Sequence, residues 1–190
     1  MFLLDARAER LAALMLAILM AATRIHHFGV GTIAPDASTA VFFLAGLMLA
    51  SPLWIVLFAV LAIGLDAVAL GVVGVADACV TLGYWLLFAG YLVLWYAGRL
   101  GRRIEKLDLF QSGRLLLLAA GGTVLFFVLS NVGYYFGGGF DESMGAAEYI
   151  SRVQRYFSMY LVSTLAYVAA GIAVFAIADR LFAGGRLAAR

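Results

Sequence analysis

The chain reads as an all-α, polytopic membrane protein with six transmembrane helices in a single domain, residues 1–190. Three observations carry that expectation. Of its 190 residues 65% are hydrophobic and only 13% are charged, with a mean hydropathy of +1.03, far from the balance of soluble domains. Its apolar residues fall into runs near the roughly 20 residues that an α-helix needs to cross the hydrocarbon core. Between the runs stand glycine, proline and charge, which end helices.

The first segment, 7–28, has its apolar stretch at 11–22. It begins like a secretory signal but runs on into Thr23, Arg24, His26 and His27 without a small-residue cleavage site, so it is expected to stay as a helix. The second, 37–51, is bracketed by Pro35 and Pro52. It is short for a crossing and is expected to cross thinly or to be shielded by its neighbours. The third spans 53–73, the fourth 78–99 and the fifth 113–136. The sixth, 147–181, is long enough to protrude.

Basic residues set the orientation, because cytoplasmic flanks keep Lys and Arg. Ten of the thirteen flank the N-terminus, the fourth-to-fifth connection and the C-terminus: Arg7, Arg10, Arg99, Arg102, Arg103, Lys106, Arg114, Arg180, Arg186 and Arg190. Only Arg24, Arg152 and Arg155 fall on the other side. Both termini are therefore expected in the cytoplasm. The outward connections become 28–36, 74–77 and 136–148, the last with a GGG run, Asp141 and Glu142. Such glycine-rich loops suit lids.

Polar residues gather on that outward side. Ionisable groups at membrane depth need a partner, a wet cavity or a ligand. Asp66 lies about 20 Å along its helix from the Pro52 turn. Asp77, Cys79, Thr81 and Tyr84 open the next helix at the same level, and His26 and His27 close the first. Asn131, Tyr134 and Tyr135 close the fifth, while Arg152, Arg155 and Tyr156 open the sixth. Each has a plainer reading. Cys79 suits a small buried hydrophobe, and Asp66 suits a structural ion pair with Arg152 or Arg155. The histidines fit an interfacial position, and Tyr84, Tyr91, Trp95 and Tyr96 an aromatic belt. Ala13, Ala17 and Ala21 form a small-residue stripe for close helix packing, within the protein or against a partner.

Several chemistries are excluded. The lone Cys79 forms no internal disulfide or paired-cysteine metal motif. A formal charge of +2 is too small to point to nucleic acid. No GxxxxGK(S/T), GxSxG, HExxH or CxxC motif occurs. His26 and His27 point about 100° apart on a helix, so they do not supply both axial ligands of one haem.

The segments TRIHHFG, APDASTAVFFLAG, LDAVALG, DACVTLGYW and SRVQRYF together resemble the BtuM family of cobalamin transporters, relatives of the substrate-binding S-components of energy-coupling-factor (ECF) transporters. The motifs run from 23 to 157, and helix count and orientation extend the likeness over the whole chain. The resemblance implies a six-helix S-component fold in a bacterial inner membrane. It implies an outward pocket for cobalamin (vitamin B12), with Cys79 coordinating cobalt and His27, Asp66, Asp77, Tyr84 and Arg152 lining the pocket. A thiolate is a soft donor suited to cobalt, and carboxylates, Tyr and Arg suit the amide rim and nucleotide tail. Cys79 and Tyr84 lie about 140° apart on a regular helix, so the fourth helix is expected to begin after Cys79.

The resemblance further implies transport without an ATP site in this chain, by reorientation in the bilayer. An ECF coupling subunit with ATPases would dock on Ala13, Ala17 and Ala21. A thiolate on cobalt would also displace an upper ligand such as cyanide, which is incidental chemistry and not an enzyme's turnover. Two other readings stand beside it: an S-component for a different vitamin with Cys79 only packing, and a membrane cofactor-binding enzyme using His26, His27 and Asp66.

Overall fold

The computed structural model describes residues 4–24, 34–73, 83–104, 107–137 and 144–187. Among them are six helices: α1 (Ala6–Arg24), α2 (Ser38–Met48), α3 (Leu53–Val73), α4 (Tyr84–Gly101), α5 (Leu109–Phe136) and α6 (Ala146–Leu187). Three contain stretches long and apolar enough to cross a membrane: Leu53–Gly71, Leu109–Phe136 and Ala146–Ala178. The described residues thus form an all-helical fold with the helices of a membrane protein. Large apolar side chains such as Val60 on α3 and Val162 on α6 stand outward, 61% and 66% exposed, as a lipid-facing surface requires.

Helix ends follow local chemistry. The Asp5 carboxylate accepts the N–H groups of Arg7 and Ala8 at 3.0 and 2.9 Å, satisfying donors that open α1. Asp108 caps α5 in the same way, accepting from the Gln111 N–H at 2.7 Å. That cap moves the start of α5 back to Leu109 from the expected 113. Helix α4 begins at Tyr84, directly after Gly83, in line with a start beyond Cys79 and later than the expected 78.

Helix α2 is the centre of the bundle. All 11 of its residues are buried, and it packs on each of the other five helices. Its sequence, STAVFFLAGLM, has apolar or small residues on every side, the pattern of a helix enclosed all round. The shielding expected for the second segment is therefore what the fold provides. Close approach to α4 rests on glycine: a Cβ at Gly46 would strike the Trp95 carbonyl, and one at Gly98 the Phe43 carbonyl. Small residues at a crossing let two backbones touch, the usual source of helix association in lipid. The Thr39 and Thr164 hydroxyls, 2.6 Å apart, tie α2 to α6.

Charged groups bind one end of the bundle. The Arg102 guanidinium donates to the carbonyls of Gly46, Leu47 and Leu49, and Arg99 donates to that of Ala50 at 3.0 Å. Cations there satisfy orphan carbonyls and oppose the negative end of the α2 dipole. Burial, then the neighbouring Arg99, push the Arg102 pKa down to about 10, which leaves it charged at neutral pH. The Glu9 carboxylate accepts from the Ala50 N–H at 2.8 Å and the Trp54 indole N–H at 2.7 Å, fixing α1 beside the start of α3.

Candidate ligand-binding site

The Glu9–Trp54 contact sets the register of two parallel helices, α1 and α3. From it, 15 residues along α1 lead to Arg24 and 12 along α3 lead to Asp66, rises of about 22 and 18 Å. The two side chains therefore meet at the far end of the bundle from Arg99 and Arg102. Arg24 Nε donates to Asp66 Oδ1 and Nη2 to Oδ2, both at 2.7 Å, the two-pronged geometry that suits guanidinium and carboxylate. Their side chains are 2% and 6% exposed. Arg24 Nη1 also donates to the Ser38 hydroxyl at 2.9 Å and the Tyr91 hydroxyl at 2.8 Å. The Tyr84 hydroxyl donates to Asp66 Oδ2 at 2.6 Å.

This network corrects the pairing expected for Asp66. Its partner is Arg24, not Arg152 or Arg155. Arg152 instead pairs with Glu148 one turn away at 2.6 Å, with both side chains more than half exposed. The guanidinium of Arg155 lies 4.9 Å from the centre of the Tyr156 ring. The aromatic-belt reading also divides. Tyr91 and Trp95 are each 3% exposed, whereas Tyr96 is 64% exposed. Tyr91 is sandwiched between Phe42 at 4.1 Å and Phe126 at 5.1 Å, holding its hydroxyl against Arg24.

Beside the network opens a cavity of about 370 Å³. Arg24, Asp66 and Tyr84 form part of its wall, with Asn131 and Tyr134 from α5 and Tyr156 and Tyr160 from α6. Leu70, Leu87, Phe127 and Met159 supply apolar surface. The Asn131 side chain is fixed, donating to the Phe127 carbonyl at 2.7 Å and accepting from the Tyr149 hydroxyl at 2.9 Å. The volume and mixed lining fit a small-molecule site. Among the described residues, Arg24 and Asp66 are the only residues on this wall that carry a formal charge, and they neutralise each other.

The structure thus brings Asp66, Tyr84, Asn131, Tyr134 and Tyr156 together, as their placement in the sequence suggested. Arg152 is exposed on α6 and is not among the cavity's lining residues. His26, His27, Asp77, Cys79 and Thr81 lie outside the described residues. Sequence reasoning missed Arg24 as the keystone and Tyr160 as a wall residue. The signal for Arg24 was present: it is the cation of α1 that lies at the depth of Asp66. Ala13 of the small-residue stripe is 3% exposed and Ala17 packs against the core, so these two serve contacts within the protein. Compared with protein-family models and with curated proteins, the chain matches none.

Proposed function

We propose that the protein is a six-span membrane transporter that binds cobalamin in this cavity with Cys79 on cobalt and moves it into the cytoplasm. The cavity itself is the observation that carries the reading. It opens between helices at the end of the bundle remote from the Arg99 and Arg102 cluster, which is the outward end if cytoplasmic flanks hold the basic residues. Cys79 stands four residues before Gly83, a residue of the cavity wall, a tether of at most about 14 Å. The motifs DACVTLGYW and SRVQRYF, which the BtuM resemblance rests on, carry or adjoin wall residues Gly83, Tyr84, Val153 and Tyr156.

In this mechanism the Cys79 thiolate holds cobalt from one side, and aromatic and apolar walls cover the ring. Asp66, paired with Arg24, accepts from the Tyr84 hydroxyl and fixes that ring at the rim. His27 and Asp77 complete the polar lining from the connections, and Arg152 reaches the nucleotide tail from outside the cavity. Movement across the bilayer is a reorientation of the whole protein, and its energy comes from an ECF-type coupling subunit or from binding itself. Leu11, Leu14, Met15 and Ile18, each 57–60% exposed, are the α1 surface that the subunit would meet beside Ala21.

Absorption spectroscopy tests this. Detergent-purified protein incubated with cobalamin and freed of excess ligand is expected to retain about one corrin per chain, with a spectrum that changes in Cys79→Ala. Loss of cyanide from bound cyanocobalamin would report the thiolate on cobalt. Retention of no corrin by the wild type would overturn the reading. One observation favours a second: a cavity of about 370 Å³ is small for a whole corrinoid and matches a smaller vitamin. Binding of such a vitamin, unchanged by Cys79→Ala, would select it.

A further inference from the structure

The polar groups of the cavity wall differ in one respect. Arg24 commits four of its five N–H groups to Asp66, Ser38 and Tyr91, and Asp66 accepts from Arg24 and Tyr84. Asn131 both donates and accepts, and Ser130 donates to the Phe127 carbonyl at 3.1 Å. Among the described residues no hydrogen bond reaches the Tyr160 hydroxyl. Its ring is partly buried against the core, with Phe126 and Phe127 at 6.1 and 5.8 Å. Tyr156, the other cavity tyrosine with no hydrogen bond among the described residues, is 45% exposed and can turn to solvent.

A hydroxyl left without a partner in an apolar setting is costly, so a ligand that completes it binds more tightly than one that does not. A charged ligand gains nothing comparable, because the only formal charges among the described lining residues are already joined as an ion pair and ions are costly to desolvate. We infer that the cavity recognises an uncharged, hydrogen-bond-accepting portion of its ligand to which the Tyr160 hydroxyl donates, a role that a side-chain amide carbonyl of cobalamin would fill. The inference rests on the cavity being the ligand site. It assigns Tyr160 a direct contact and makes the seated part of the ligand neutral.

The test pairs Tyr160→Phe with wild-type protein, full length in detergent, measuring cobalamin affinity and the melting temperature without ligand. Expected are a roughly three- to tenfold loss of affinity, the worth of one neutral hydrogen bond, and an unliganded variant that melts no lower than wild type. A cobalamin derivative with one side-chain amide hydrolysed to carboxylate should bind more weakly to wild type than cobalamin does. Equal cobalamin affinity in both proteins overturns the inference and leaves the transport reading standing. If the wild type binds no cobalamin, the transport reading falls and the melting temperatures decide. A lower value for Tyr160→Phe means the hydroxyl is already paired within the protein and overturns the inference, and an equal or higher value supports it.

Discussion

Removing the Asp66 carboxylate should damage this protein more than removing both members of its ion pair. In Asp66→Ala the Arg24 guanidinium, 2% exposed, loses two charge-assisted bonds and, among the described residues, keeps the Ser38 and Tyr91 hydroxyls. Stranding one partner of a buried pair costs about 3–5 kcal/mol. For a chain of this size each kcal/mol lowers the melting temperature by about 2–4 °C, so Asp66→Ala should melt about 6–20 °C below wild type. Arg24→Met combined with Asp66→Leu removes both charges and fills similar volume, and it should recover most of that loss, since paired buried ions roughly break even against apolar replacements. Thermal unfolding in detergent, followed by far-ultraviolet circular dichroism, checks both. A single variant that loses under about 1 kcal/mol, the range of exposed pairs, would refute the reasoning. So would a double variant no better than the single.

Three other outcomes follow from the packing. Gly98→Ala drives a methyl into the Phe43 carbonyl, and by the usual cost of overpacking it should lose about 1–3 kcal/mol, read as a lower melting temperature. Gly64→Ala, with open space around its Cβ, should lose none and serves as the control. Arg102→Met frees the carbonyls at the α2 terminus and should cost about 1.5–3 kcal/mol, with Arg102→Lys recovering only part because it lacks the guanidinium fork; chemical denaturation measures this. Arg152→Ala breaks only an exposed pair with Glu148 and should change stability by less than about 0.5 kcal/mol, so any loss of ligand binding in that variant reports contact with the ligand.

Helix number and type were legible in composition and apolar runs, because a segment with no water around it has to close its own backbone hydrogen bonds. The third segment, 53–73, coincides with α3. Boundaries moved where a single side chain decides, as Asp108 does for α5. Asp66 and Tyr84 could be singled out because a polar residue within an apolar run stands out in one dimension. Their partner could not be chosen that way. Pairing depends on register between α1 and α3, which is set by the contact of Glu9 with Trp54, more than 40 residues apart in sequence. The orphan state of Tyr160 is likewise a property of its neighbours.

The enclosed position of α2 has a consequence for biogenesis. At 11 residues it is about 16 Å long, half of a hydrocarbon core of about 30 Å. A nascent segment of that length is not held across the bilayer by its own partitioning, and it has no lipid-facing side to keep once folded. Its place depends instead on the helices that enclose it, α4, α1 and α6 foremost, and on α3, joined to it through the turn at Pro52. The helix that touches every other one is thus held by its neighbours rather than by lipid, and bulky substitutions along it should show as failed assembly of the bundle.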